Sequence, residues 1–175
     1  MLTLLLLRHA KAEPGTFSVP DIERALAERG RADAPRLGAW IAAHDLVPDY
    51  IVCSPARRTR ETLALAEPAF GGDVETVFEP AIYEATAMRI LTAIRRTPQQ
   101  VRRLMLVGHN PGFEMLAKDL TGSAEAVAEE RLGRKYPTCG LAVLSWPKAS
   151  GIETWQKVTG RTGHLDAFVA PRYLD

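Results

Sequence analysis

The segment that decides the fold is LTLLLLRHAK, residues 2–11 of the 175-residue chain. Residues 2–7 are leucine apart from Thr3, and such an apolar run is typical of a strand buried on both faces of a parallel sheet. Arg8 and His9 follow this run directly. Because open α/β sheets bind ligands beyond the carboxyl ends of their strands, the sequence predicts a guanidinium and an imidazole at a ligand-binding edge.

The overall composition is that of an ordinary globular protein. Hydrophobic residues make up 46% of the chain and charged residues 25%, and the length favours one domain, which we expect to span residues 1–175. The 22 Lys and Arg against 21 Asp and Glu leave a formal net charge of +1. This balance argues against nucleic acid as a partner, because non-specific nucleic-acid binding needs a strongly basic face.

No segment of the sequence predicts association with a membrane. The apolar run at residues 2–7 is shorter than the core of a secretory signal peptide and has no basic stretch before it. No run approaches the ~20 apolar residues that a membrane-spanning helix needs. The two cysteines, Cys53 and Cys139, are typical of free buried thiols in a reducing compartment. We therefore expect a cytoplasmic protein.

Strand and helix patterns alternate along most of the chain, which predicts an α/β fold with a mixed, mostly parallel sheet and helices on both faces. After the first strand, further strands are expected at residues 50–53, 74–78 and 104–107. Helices are expected at residues 21–29, ending at Gly30, at 31–44 with Pro35 within the first turn or so, and at 55–67, 86–96 and 111–120.

The C-terminal third departs from this alternation. Residues 123–135 are rich in Ala, Glu and Arg with little apolar periodicity, which predicts an exposed helix or flap. Residues 139–146 and 152–159 are expected to form two strands connected by residues 147–151. The two strands would then add an antiparallel hairpin to the sheet.

The second predicted strand is followed by SPARRTRET, residues 54–62. Ser54 is a good N-cap and Pro55 a good first residue of a helix, so a helix N-terminus is expected at the same edge of the sheet. Bare N–H groups and the positive end of the helix dipole favour an anion there, and Arg58 could add a bidentate clamp. The alternative is that the three arginines form a solvated helix face, which suits Arg60 best.

A third stretch, GHNPG at residues 108–112, repeats this arrangement after the 104–107 strand. Asn110, the only asparagine in the chain, stands where a capping residue is expected, and Pro111 takes the first helical position. A histidine such as His109 would more often be structural in isolation, but the repeated pattern of strand end, charged residue, cap and proline favours a functional one. The four histidines lack the spacing of a zinc site, so no metal is expected.

Together, RHA at residues 8–10, Ser54 with Arg58 and Thr62, and GHNPG at residues 108–112 resemble the histidine phosphatase superfamily. This is a clan of cofactor-independent acid phosphatases and phosphoglycerate mutases. The short chain and the Arg-His-Ala-Lys opening resemble most its compact SixA-type branch of phosphohistidine phosphatases.

Three positions bear on how closely the chain follows that family pattern. Ala10 stands where the wider superfamily usually has glycine, as is common in the compact branch. RAL at residues 24–26 replaces the Arg-Pro-Leu of that branch, so the loop over the site is expected to differ. Many members carry a catalytic glutamate after the third strand, and Glu84 is the candidate here, either as proton donor or as a loop carboxylate.

The resemblance implies a phosphoglycerate mutase-like fold and a phosphatase that needs neither metal nor cofactor. In that mechanism a neutral His9 attacks phosphorus in line, and water then hydrolyses the resulting phosphohistidine. Arg8, Arg58 and His109 would form a cationic cradle around the phosphate oxygens, with Asn110 as a further phosphate ligand. The guanidinium charges are expected to disfavour protonation of His9 and so keep it nucleophilic at neutral pH.

The substrate is left open between a phosphohistidine on a protein and a phosphomonoester. No large insertion lies between residues 79 and 104, where bulkier relatives build a cap, so an open site suited to a protein surface is expected. The first alternative is a phosphatase or phosphoglycerate mutase-like enzyme acting on a small phosphoester. The second is a non-catalytic phosphate-binding module, against which the presence of Arg8, His9, Arg58 and His109 argues.

Overall fold

The computed structural model describes residues 1–174 and is built around strand β1 (Leu2–Arg8). β1 runs parallel to β4 (Arg103–Gly108), with Arg8 opposite Gly108 at the end of both strands. The first six residues of β1 are buried, as the leucine run predicts, and alternate leucines enter two separate cores, one on each face of the sheet. Arg8 is the first residue of the strand with partial exposure, and it marks the edge where the site lies.

The remaining strands are β2 (Tyr50–Cys53), β3 (Glu75–Phe78), β5 (Thr121–Ala124), β6 (Leu141–Trp146) and β7 (Gly163–Val169). Across residues 1–174 they form one sheet in the order β3-β2-β4-β1-β6-β7-β5. β6 runs antiparallel to both of its neighbours, whereas the other pairings are parallel. The sheet is therefore mixed and mostly parallel, which confirms the predicted fold class.

Helices cover both faces of the sheet, as the alternating pattern predicts. One face carries α1 (Glu28–Ala43) and α2 (Arg57–Ala66), and the other carries α3 (Ala87–Arg95), α4 (Gly112–Leu120) and α5 (Ala126–Arg134). α5 is mostly exposed, as expected for this region, with only Ala128 and Leu132 buried. None of the helices described over residues 1–174 is long and apolar enough to cross a membrane.

The predicted C-terminal hairpin is wrong in its second strand. Residues 152–159 form no strand; they contain a 3₁₀ turn in which the buried Trp155 donates its Nε1–H to the carbonyl of Val101 at 2.8 Å. The antiparallel partner of β6 is instead β7, whose register with β6 skips Asp166. This irregularity breaks the alternation of apolar side chains, so a period-two pattern does not predict β7.

The first helix also differs from the prediction. α1 begins before Gly30, so this glycine lies inside the helix and does not end one. A Cβ on Gly30 would lie 2.2 Å from the carbonyl oxygen of Lys11, so the glycine permits a close approach of α1 to the segment that follows β1. Pro35 consequently lies in the middle of α1 and not near its first turn.

Candidate active site

The ends of β1 and β4 bring His9 and His109 together. The centroids of the two imidazole rings are 5.4 Å apart. The backbone of His9 is fixed from both sides, because its N–H donates to the carbonyl of Gly108 and its own carbonyl accepts from the N–H of Cys139, each at 3.0 Å. The structure therefore places the histidines of both strand-end motifs at one edge of the sheet.

The His9 ring presents its Nε2 atom as a free base. Nδ1 lies 2.8 Å from the carbonyl oxygen of Ala10, which can only accept, so Nδ1 carries the proton and Nε2 the lone pair. Burial, together with the positive charges of Arg58 and Arg8, lowers the pKa of His9 to about 4. His9 is therefore neutral at pH 7, in the form that a nucleophile requires.

Arg58, in the first turn of α2, is a buried cation whose side chain is only 2% exposed. Its Nη1 donates to the main-chain oxygen of Asp21 at 2.7 Å, and its Nη2 donates to Asp21 Oδ2 at 3.0 Å and to Glu84 Oε1 at 2.8 Å. Nη2 also lies 3.3 Å from Nδ1 of His109. Arg58 thus faces the site, whereas Arg60 lies on the exposed face of the helix, as its alternative interpretation predicts.

His109 is held between Ser54 and Arg58. The hydroxyl oxygen of Ser54 lies 2.7 Å from Nε2, and because a hydroxyl can donate or accept, it suits either neutral tautomer of the ring. Burial, together with the positive charge of Arg58, lowers the pKa of His109 to about 3. The His109 ring is therefore neutral at pH 7 in this structure, and its place in a cationic cradle around a phosphate stays a prediction.

Ser54 does not cap α2, because the helix begins later than the sequence pattern predicts. Its N-cap residue, Ala56, has no side-chain acceptor, and the Ser54 hydroxyl is 3.5 Å from the Ala56 nitrogen. A second hydroxyl, that of Thr62, accepts from the N–H of Ala10 at 3.0 Å. This bond links α2, which carries Arg58, to the segment that carries His9, so it fixes the position of one relative to the other.

Arg8 is anchored by the chain that follows α5. Its Nη1 donates to the main-chain oxygen of Tyr136 at 2.7 Å, while its buried Nε has no partner within residues 1–174. The ring of Tyr136 is buried, and its hydroxyl donates to the carbonyl of Leu6 and accepts from the N–H of Ala142. Burial lowers the pKa of Arg8, but a guanidinium starts from so high a value that it stays charged at neutral pH.

Asn110 makes its hydrogen bonds within the protein. Its Oδ1 accepts from the N–H of Glu114 in the first turn of α4 at 3.2 Å. Its Nδ2 donates to Glu114 Oε2 at 3.1 Å and to the main-chain oxygen of Tyr136 at 3.2 Å. Asn110 therefore shares a carbonyl partner with Arg8, and its role as a phosphate ligand stays a prediction.

Glu84 reaches the site from a left-handed backbone conformation with φ of 47°. Such a conformation costs a residue with a side chain roughly 1–3 kcal/mol, and it is concentrated at functional sites. The Oε1 atom that contacts Arg58 also lies 3.4 Å from Nδ1 of His109, and the side chain is 47% exposed. Gly112 permits this placement, because a Cβ there would lie 2.1 Å from the carbonyl oxygen of Ala85.

Two side chains of the site, Asp21 and Tyr83, escape the strand-end pattern in the sequence. The hydroxyl of Tyr83 donates to Asp21 Oδ2 at 2.6 Å, and its ring stands edge-on to His109 with centroids 5.4 Å apart. Tyr83 precedes Glu84 directly, so the reasoning that singles out Glu84 could have included it. Asp21 lies in a loop far from any strand end, and no spacing in the sequence points to it.

Comparison with known proteins identifies the family. The family model described as the histidine phosphatase superfamily (branch 1) matches residues 4–91, about half of the chain. An uncharacterized protein of Mycobacterium tuberculosis strain H37Rv is 35% identical over 170 residues, which cover 95% of this chain and 100% of the relative. The chain belongs to the histidine phosphatase superfamily.

Two solved structures resemble this histidine phosphatase over nearly its whole length. The crystal structure attributed to phosphohistidine phosphatase SixA from Agrobacterium tumefaciens is 32% identical, with a TM-score of 0.78, and covers 97% of this chain and 98% of that chain. The structure attributed to phosphohistidine phosphatase SixA from Nakamurella multipartitia is 27% identical, with a TM-score of 0.81, and covers 97% and 96%. The chain is a phosphatase of the SixA-type branch, which confirms the resemblance drawn from the sequence.

Proposed function

We propose that this phosphatase removes the phosphoryl group from a phosphohistidine on a protein, through a covalent phosphohistidine intermediate on His9. The observation that carries the proposal is the state of the His9 ring, in which Nδ1 is tied to Ala10 while Nε2 is an unoccupied base near Arg58 and His109. Phosphoryl transfer depends mainly on positioning the reactants and stabilising the charge of the phosphate oxygens. A free base beside a buried guanidinium supplies both requirements.

The reaction proceeds in two displacements at phosphorus. In the first, the lone pair of His9 Nε2 forms a bond to phosphorus while the bond from phosphorus to the substrate nitrogen breaks. The electron pair stays on the substrate imidazole, which leaves with a proton taken from solvent, or from Glu84 after that carboxylate has itself taken up a proton from solvent. In the second, water attacks phosphorus and loses a proton, the bond to Nε2 breaks, and inorganic phosphate leaves with His9 restored to its neutral form.

The site residues divide the stabilisation of the phosphate between charge and hydrogen bonding. Arg8 and Arg58 provide positive charge, and His109 donates a hydrogen bond from Nδ1 in the tautomer whose Nε2 accepts from the Ser54 hydroxyl. An incoming phosphate oxygen takes the place of Glu84 Oε1 on Nη2 of Arg58. Glu84 then acts as proton donor for leaving groups that need one, whereas an imidazole leaving group makes little demand on it.

Support for a protein substrate comes from the open rim of the site. Phe17 is fully exposed and Val19 is 41% exposed, and both lie in the loop that carries Asp21. Both side chains line one surface cavity together with Asp21, and a contiguous exposed apolar patch is typical of an interaction surface. The buried free thiols of Cys53 and Cys139 suit a cytoplasmic phosphoprotein as partner.

The substrate class is tested by a phosphatase panel with and without a chelator. The panel contains a protein bearing phosphohistidine, p-nitrophenyl phosphate, a phosphoserine peptide, phosphoglycerate and a sugar phosphate. We expect the highest kcat/KM for the phosphohistidine protein and no loss of rate with the chelator. Faster turnover of a small phosphoester would instead favour a small-molecule phosphatase or mutase, and no turnover of any substrate would favour a binding module.

The covalent intermediate is tested by trapping label from a ³²P substrate. We expect acid-labile, alkali-stable label on the wild type and none on His9→Ala, whose turnover should fall roughly 10³-fold or more. His164→Ala is the matched control, because this histidine lies elsewhere and contacts Ser123. Equal labelling of the wild type and His9→Ala would show that another group is the nucleophile.

A further inference from the structure

One loop residue, Asp21, accepts hydrogen bonds from both terminal nitrogens of Arg58, one through its main chain and one through its carboxylate. Asp21 lies in the 3₁₀ turn Asp21–Glu23, within the connection between β1 and α1. Its main-chain oxygen accepts from Nη1 of Arg58 at 2.7 Å, and its Oδ2 accepts from Nη2 at 3.0 Å. Because both terminal nitrogens of the guanidinium are held by one residue, the orientation of its plane is determined by Asp21.

Asp21 is itself held by two further side chains. Tyr83 donates to Oδ2 at 2.6 Å, and Arg24 Nη1 donates to Oδ1 at 2.9 Å. Arg24 also donates through Nε and Nη2 to the carbonyl of Glu13, at 3.0 and 2.9 Å, which closes the loop on itself. The hydrogen bond from Tyr83, with those from the two arginines, holds the pKa of Asp21 well below its usual range, so the carboxylate is charged at every working pH.

We propose that Asp21 is a positioning residue, which holds Arg58 in the orientation that receives a phosphate oxygen, and that Tyr83 acts through Asp21. This inference rests on the proposed function. A long arginine side chain has many rotamers, and its fork binds phosphate best when the plane is already aligned. Glu84 accepts only one hydrogen bond from the same guanidinium, so phosphate can displace Glu84 while Asp21 remains hydrogen-bonded to Arg58.

The test compares steady-state kinetics of Asp21→Ala, Asp21→Asn and Tyr83→Phe with p-nitrophenyl phosphate, and inhibition of each variant by inorganic phosphate. We expect Asp21→Ala to lower kcat/KM about 10- to 100-fold, with a lower kcat and a higher KM. The reason is that misplacing the Arg58 guanidinium by about an ångström can cost up to that factor. The inhibition constant of inorganic phosphate should rise in parallel. Asp21→Asn keeps the shape and one acceptor oxygen, so it should recover most of the loss. Glu23→Gln, an exposed carboxylate in the same turn, is the control and should leave the kinetics unchanged.

A double variant separates positioning from a general loss of structure. If Tyr83 acts only through Asp21, Asp21→Ala combined with Tyr83→Phe should be no slower than Asp21→Ala alone. If the double variant instead loses kcat/KM by the product of the two single-variant losses, the inference for Tyr83 is overturned. Tyr83→Phe retains the ring against His109, so it remains informative even where Asp21→Ala lowers the thermal unfolding midpoint.

Arg58→Ala distinguishes failure of this inference from failure of the proposed function. Full activity of Arg58→Ala would overturn the proposed role of the guanidinium itself. An inactive Arg58→Ala beside Asp21→Ala and Asp21→Asn with wild-type kcat/KM would leave the function standing and overturn the positioning role. Faster turnover by Asp21→Ala would also overturn it, since the carboxylate would then be a competitor of phosphate.

Discussion

Lowering the pH from 7 to 5 is expected to destabilise the protein by about 4 kcal/mol through His9 and His109 alone. The folded pKa values of these rings are about 4 and about 3, against 6.5 for an unperturbed histidine. At pH 5 both rings are protonated in the unfolded chain and neutral in the folded protein, so each contributes a loss of about 2 kcal/mol. The unfolded state binds more protons in this window, and the free energy of unfolding therefore rises with pH. The contribution is complete above about pH 6.5, is lost progressively as the pH falls below that value, and is fully lost once the pH is below the folded pKa values.

The measurement is urea denaturation at pH 7, 6 and 5, followed by tryptophan fluorescence. His9→Asn and His109→Asn should each reduce the pH dependence by about half, and the double variant should remove most of it. His164→Asn, which replaces an imidazole outside the site, should keep the wild-type slope. The carboxyl of Asp21 also has a lowered pKa, but an unfolded carboxyl titrates near pH 4, so it contributes little above pH 5.

A wild-type protein whose free energy of unfolding changes by less than about 1 kcal/mol between pH 7 and pH 5 would contradict the lowered pKa values of the two rings. Such a result would mean that His9 and His109 bind protons as readily in the folded protein as in the unfolded chain, so their pKa values would not be lowered by the site. A wild-type slope that persists in the double histidine variant would refute the assignment of the effect to these two rings.

Three further predictions concern groups that shape the site. Glu84→Gln should slow hydrolysis of a phosphoserine peptide about 10²-fold or more but affect the phosphohistidine protein far less, because only the alkoxide needs a proton donor; the ratio of the two kcat/KM values checks this. Ser54→Ala leaves the buried Nε2 of His109 without its partner, and urea denaturation should show a loss of about 1–3 kcal/mol. Gly112→Ala would place a methyl group 2.1 Å from a carbonyl oxygen and should cost about 1–3 kcal/mol, whereas Gly133→Ala, in open space on α5, should be neutral or stabilising by up to about 1 kcal/mol.

The parts of the fold that local pattern could predict are those where burial alone decides the structure. β1 and β4 are apolar because both of their faces are covered, so their extents and their polar ends are evident in the sequence. β7 could not be found in this way, since the irregularity at Asp166 interrupts its alternation. Residues 152–159, which the pattern predicts as a strand, instead form a 3₁₀ turn in which the buried Trp155 donates a hydrogen bond to Val101.

The candidate site divides along the same line. His9, Arg58 and His109 follow strand ends, and parallel topology brings such positions to one edge whatever the loops do. Asp21 and Tyr83 reach the site through loop conformations that depend on several tertiary hydrogen bonds at once. A local pattern carries no information on such contacts. The sequence therefore predicts His9, Arg58 and His109 as site residues but does not predict Asp21.

The two carboxylates that contact Arg58, those of Asp21 and Glu84, are expected to respond differently when phosphate binds. Arg58 meets the carboxylates of Asp21 and Glu84, so a phosphate anion enters most readily when one of these carboxylates withdraws. The side chains of Asp21 and Glu84 are about equally exposed, but Asp21 accepts from Arg58 through two oxygens and is bound by two further side chains, whereas Glu84 contacts Arg58 through a single oxygen. Glu84 is therefore the group that yields under the proposed mechanism. When phosphate displaces Glu84, Nη2 of Arg58 becomes available to a phosphate oxygen. The displaced carboxyl group then lies beside the reacting phosphoryl group, where, once protonated, it can give a proton to a departing alkoxide.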